Sequence, residues 1–129
     1  MLVVFLTFLL TAAPAAAQPV VQEYPVPAGS HPHDVAPATD GGVWFTAQGG
    51  GYLGWLDPNT GETRQIALGP RSAPHGVIVG PDGAPWVTDG GLNAIVRADP
   101  QTTELTAFPL PGRGANLNTA AFDRTGVLG

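Results

Sequence analysis

Apolar residues along this chain come in short runs cut by glycine, proline, aspartate and asparagine. Val43-Trp44-Phe45-Thr46 is β-branched and aromatic, with Val43 and Phe45 on the side opposite Trp44, which suits a strand. Before it, Val35 to Pro37 opens another strand, and Asp40-Gly41 makes the turn between them. Gly49-Gly50-Gly51 breaks the run. Tyr52 to Asp57 reads as a third strand and Pro58-Asn59-Thr60-Gly61 as a turn with proline at its second position. Glu62 to Leu68 alternates polar and apolar, as a half-buried edge strand does. The pattern predicts four short antiparallel strands in succession and no helix.

The pattern then repeats. Ser30-His31-Pro32-His33-Asp34-Val35 returns as Ser72-Ala73-Pro74-His75-Gly76-Val77, and Asp40-Gly41-Gly42-Val43-Trp44-Phe45-Thr46 as Asp82-Gly83-Ala84-Pro85-Trp86-Val87-Thr88. Leu56-Asp57-Pro58 returns as Ala98-Asp99-Pro100, and all three landmarks are 42 residues apart. A third copy opens with Ala115-Asn116-Leu117-Asn118-Thr119-Ala120, with His75 and Asn118 43 residues apart. Four strands in ~42 residues match one blade of a β-propeller. The fold class is therefore all-β, a propeller of four-stranded blades, with about two and a half blades present. The predicted units are an outer strand at 22–27, a blade at 31–69, a second at 73–111 and the start of a third at 115–129. A lone outer strand at the start is what a ring needs when its last blade is completed by its first strand. Propellers have ~4–8 blades, so two readings follow: the front part of a longer protein that lacks its C-terminal blades here, or a ring assembled from several chains.

Composition narrows the picture. Glycine (18) and proline (14) are dense enough for a disordered chain, but 43% hydrophobic and 12% charged residues are the wrong balance for one. These residues punctuate short elements instead. Ten acids against five arginines, with a net charge of −5, argue against a nucleic-acid or anionic-membrane surface. With no cysteine, disulfides, zinc–thiolate sites and thiol nucleophiles are excluded. The glycine runs lack the spacing and the lysine of a phosphate loop.

Residues 1–17 read as a signal peptide. Leu2 to Leu10 is apolar except for Thr7, and small residues follow, with Ala15 and Ala17 at the −3 and −1 positions of a cleavage site after Ala17. The apolar run is too short to span a bilayer. The expectation is an exported protein, periplasmic or extracellular, with no membrane segment after cleavage.

The run Pro74-His75-Gly76-Val77, Pro81-Asp82-Gly83, Trp86-Val87-Thr88-Asp89 and Asn93-Ala94-Ile95-Val96-Arg97-Ala98-Asp99-Pro100 resembles the repeat of the streptogramin B (virginiamycin B) lyase family, and the likeness extends over about residues 22 to 128. The resemblance implies a seven-bladed propeller acting as a carbon–oxygen lyase, which opens a cyclic depsipeptide by elimination at its ester. It also implies a magnesium ion, which polarises the carbonyl beside the acidic α-proton, and a histidine that moves the proton. The implied partner is a small cyclic peptide or other small ligand. A glutamate after a W-F-T motif helps hold the site in the family. Ala47 and Asp89 stand at those places here, and alanine can be neither acid, base nor ligand. The family's catalytic histidines sit in late blades, so this chain alone is expected to be inactive. Related exported propellers share the blade pattern without a lyase reaction, which keeps a non-catalytic ligand- or protein-binding propeller as the second reading.

The candidate catalytic residues are His33 and His75, at one repeat position, and the candidate substrate-binding residues are Asn118 at that same position and Asp89 beside Gly90-Gly91. The functional reading is a polar rim around the central channel. The alternative is that these side chains bond the neighbouring blade and fix the junction. His31 has Ala73 at its repeat position and is expected at the surface. Trp44 and Trp86 are expected to pack between blades, while Trp55, with Val96 taken as its counterpart, is less constrained. The native metal is not given by the residues.

Overall fold

The computed structural model describes residues 18–129, and the export signal expected at 1–17 lies outside the described residues. Among the described residues, eight strands run in chain order: β1 Pro32–Pro37, β2 Val43–Ala47, β3 Tyr52–Leu56, β4 Thr63–Ala67, β5 Pro74–Val79, β6 Pro85–Asp89, β7 Ala94–Ala98 and β8 Leu105–Pro109. They form two four-stranded sheets, each a simple antiparallel meander in chain order. The sheets lie side by side, with β1 and β2 against β5. Trp44, Leu53, Val77, Val87 and Val96 are buried in the core that the two sheets share.

Aspartates and glycines make the turns. At the β1–β2 turn the Asp40 carboxylate accepts the Gly42 N–H at 3.0 Å, and Gly41 sits at φ +90°. The β5–β6 turn repeats this with Asp82, Ala84 and Gly83 at φ +78°. A left-handed conformation at that position explains the glycine. The β3–β4 turn closes through Gly61 N–H to the Asp57 carbonyl at 2.8 Å, and the β7–β8 turn through Thr103 N–H to the Asp99 carbonyl at 2.9 Å.

Each first strand carries a β-bulge, between Pro32 and Val35 in β1 and between Pro74 and Gly76 in β5. A bulge leaves an N–H without its ladder partner. In both blades a threonine hydroxyl of the second strand takes it: Asp34 N–H donates to Thr46 Oγ1 at 3.0 Å, and Gly76 N–H to Thr88 Oγ1 at 2.8 Å. The bulge therefore falls on the two histidine positions and re-aims them.

Three expectations need correction. Residues 22–27 are not a strand. The segment pairs with no strand among the described residues and lies along the β3–β4 turn instead, with Tyr24 Oη donating to the Pro58 carbonyl at 2.6 Å and Val26 packed against Phe45 and Tyr52. Trp55 is half-buried, but its counterpart is Arg97 and not Val96, since Trp55 pairs with Trp44 as Arg97 pairs with Trp86. Trp44 is 4% exposed, as expected of a residue between blades, whereas Trp86 is half-buried, stacked on Phe108 and edged by Phe122. The third repeat contributes one bridge, Phe122 to Leu128, around a turn capped by Asp123.

Candidate functional site

The bulges bring His33 of β1 and His75 of β5 together at the junction of the two blades. Their ring centroids are 3.8 Å apart and the planes are inclined by 43°. His33 is exposed and His75 half-buried. His75 Nδ1 lies 3.1 Å from the backbone oxygen of Asn118. All three residues thus meet at one place, but Asn118 enters through its carbonyl. Beside His75 opens a cleft of about 320 Å³, lined by Gln48, Ala73, Gly90, Ala115, Asn116 and Leu117 among others.

The carbonyls at this repeat position hold the blades together. Thr46 Oγ1, already an acceptor within its own blade, donates to the His75 carbonyl at 2.8 Å. Thr88 Oγ1 does the same to the Asn118 carbonyl at 2.6 Å. Each second-strand threonine therefore stitches its blade to the start of the next repeat. Asp34 adds another stitch: its Oδ2 accepts the Val77 N–H at 3.0 Å. Sequence reasoning missed Asp34 and the threonines. The available signal was that Thr46 and Thr88 recur 42 residues apart, each after an apolar run led by Trp44 or Trp86.

Asp89 is fully buried. Its carboxylate accepts from Ser72 Oγ, from the Ala73 N–H at 2.9 Å and from the Leu92 N–H at 3.0 Å. These bonds lock the 72–73 loop onto the turn after β6 and occupy the carboxylate. The first blade has Ala47 in that place, and Ser30, the counterpart of Ser72, pairs with Tyr52 Oη at 2.6 Å instead. Gly90 has open space around its α-carbon, whereas a side chain on Gly91 would run into the Arg71 carbonyl. Of the glycine pair, only Gly90 faces the cleft.

The described residues do not suit magnesium. No three His, Asp or Glu side chains converge among them. Magnesium requires oxygen ligands in near-octahedral geometry, while the rim offers two imidazoles and the nearest buried carboxylate is spent on three internal hydrogen bonds.

Acidic turns elsewhere carry the shifted carboxylates. The Asn59 N–H leads in holding Asp57 below the usual carboxylate range, and the Thr102 and Gln101 N–H groups do so for Asp99. The Val127 N–H, with Thr125, does so for Asp123. At Asp82 partial burial opposes ionisation, and the Arg97 guanidinium at 2.7 Å, with the Trp86 indole and the Ala84 N–H, outweighs it.

Successive four-stranded meanders stacked through their first strands are β-propeller blades. The chain has a virginiamycin B lyase-like fold. A catalytically inactive virginiamycin B lyase from Staphylococcus aureus, solved with quinupristin, superposes with a TM-score of 0.72 at 28% identity over 77% of this chain and 34% of its own. A streptogramin B lyase structure superposes with a TM-score of 0.75 at 26% identity over 83% of this chain and 36% of its own. The chain therefore spans about a third of the length of those lyases. A calcium-binding protein, regucalcin, from Agrobacterium tumefaciens shares the fold at 21% identity and a TM-score of 0.55. No protein-family model matches the chain, and no curated protein is significantly similar to it.

Proposed function

We propose that this chain supplies part of an exported, streptogramin-lyase-like propeller, and that the His33–His75 rim and its cleft form one wall of a site for a cyclic depsipeptide or similar ester. The observation that carries the proposal is the pair of touching imidazoles, of which His75 lines a cleft, in a fold whose similar solved structures include two such lyases. In the complete ring the reaction is an elimination. A base takes the proton α to a carbonyl, the C–H electrons become a C=C bond, and the ester C–O bond breaks to release a carboxylate. Ring opening by this route leaves the mass unchanged, whereas hydrolysis adds one water.

A second reading, ligand binding without reaction, is favoured by Ala47 and by the committed bonds of Asp89. One experiment tests the site that both readings share. Quinupristin is incubated with the chain and followed by chromatography and mass spectrometry. Saturable binding, lost in His33→Ala/His75→Ala, is expected on either reading. A new peak of unchanged mass would assign the lyase to these blades. No binding and no conversion would exclude both from the described residues.

A further inference from the structure

A second cavity, of about 190 Å³, shares no residue with the histidine cleft. Its walls are Trp44, Trp55, Arg64 and Ile66 of the first blade and Pro100 and Thr103 of the β7–β8 turn. Three observations define what it would hold. First, one repeat along, Ile66 is replaced by Phe108, whose ring stacks on Trp86, the counterpart of Trp44, at 5.5 Å between centroids and 17° between planes. The chain itself thus shows an aromatic ring seated on this tryptophan position. At Trp44 the shorter Ile66 leaves the space open, and an apolar cavity of ~150 Å³ is enough for benzene. Second, the Arg64 guanidinium lies 3.9 Å from the Trp55 ring centroid and has no carboxylate partner among the described residues. Its planar fork is suited to a carboxylate. Third, Thr103 is held at φ +63°, where the first repeat has Gly61 at +77°. A β-branched residue is strained there, yet it stands on the cavity wall.

We propose that this inter-blade cavity binds a small aromatic carboxylate, its ring against Trp44 where Phe108 lies on Trp86, and its carboxylate on Arg64. The inference is independent of the lyase reading. The test uses the full chain titrated with phenylacetate, followed by 19F NMR of 5-fluorotryptophan. Saturable shifts at Trp44 and Trp55, with Trp86 unmoved, are expected. Phenylacetamide and the Arg64→Gln variant should each weaken binding about tenfold, the scale of a hydrogen bond to a charged group. Ile66→Phe, which copies the second blade's solution, should abolish binding. No saturable shift at Trp44, or a shift confined to Trp86, overturns the proposal, and this readout needs no variant to fold. Equal affinity for phenylacetate and phenylacetamide overturns the role of Arg64.

Discussion

His75 is joined to its surroundings by two different groups with different consequences. Its carbonyl receives the Thr46 hydroxyl across the blade junction, while its imidazole faces His33 and the cleft. Thr46 is fully buried and serves the bulge N–H of Asp34 as well. Thr46→Val removes both bonds and leaves two polar groups unpaired, so a loss of about 1–3 kcal/mol is expected by urea denaturation. His75→Ala keeps the carbonyl and should cost under about 1 kcal/mol, the worth of one partly exposed hydrogen bond. If His75→Ala proves the more damaging, the imidazole is the junction residue and the cleft reading fails. Asp89 belongs with the threonines. Asp89→Ala strands the Ala73 and Leu92 N–H groups inside the loop, and a loss of about 2–4 kcal/mol should appear in the same denaturation. The sequence shows that the histidine and threonine positions recur. It cannot show whether recurrence is owed to a side chain or to the backbone beneath it, because both are conveyed by the same letter.

The two blades reach one geometry through exchanged pairs of residues. Phe45 opposes Gly54 in the first blade, and Val87 opposes Val96 at the same register in the second. A large residue against none is traded for two of middle size. Ala47 opposite Tyr52 is traded in the same way for Asp89 opposite Ala94. A methyl on Gly54 would lie about 2.0 Å from the Phe45 ring. Gly54→Val alone should therefore destabilise by about 1–3 kcal/mol through overpacking, and adding Phe45→Val should recover most of it. A double-mutant cycle read by thermal melts checks this, and additive losses would contradict the paired-volume account. The strands and turns were legible because hydrophobic alternation and Asp-Gly pairs act locally. The pair exchanges were not, since they need the register. Nor was the fate of residues 22–27, which pair with no strand among the described residues. The acidic turns give these elements a pH dependence. Asp57, Asp99 and Asp123 have folded pKa values below their unfolded ones, so each stabilises the fold above the unfolded value of about 3.9. That stability is lost as pH falls through the lower, folded values. Thermal melts should be flat with respect to these groups from pH 7 to about 5 and decline below about 4, and Asp99→Asn should flatten the decline.

At the scale of the whole molecule, the two flanks of the blade pair differ from the junction between them. Where the first and second blades meet, threonine hydroxyls, the Asp34 carboxylate and a shared apolar core close the contact. On the far side of the second blade, every residue of β8 from Leu105 to Pro109 is exposed, and the strand pairs only with β7. Phe108 is 45% exposed although it stacks on Trp86, and Val127 in the third repeat is 63% exposed. On the near side Val35 is 64% exposed on β1. An unpaired strand edge is a template for another chain, and apolar patches around it favour association. Propeller blades, like other repeats, draw much of their stability from contacts with neighbours. The two blades here share one such interface, and no disulfide is possible to reinforce it. The expected outcome is that a polypeptide of residues 18–129 self-associates through β8 and the Phe108 face. Size-exclusion chromatography with light scattering should give a mass above that of the monomer, falling on dilution. Phe108→Lys, placing a charge on the edge, should shift the distribution to monomer and lower the melting temperature only by the loss of its stack on Trp86, about 0.5–1.5 kcal/mol, because Phe108 is not part of the junction core. A monodisperse monomer with a cooperative melt would show instead that two blades and a partial third are self-sufficient, and that the single interface between β1, β2 and β5 is enough to hold them.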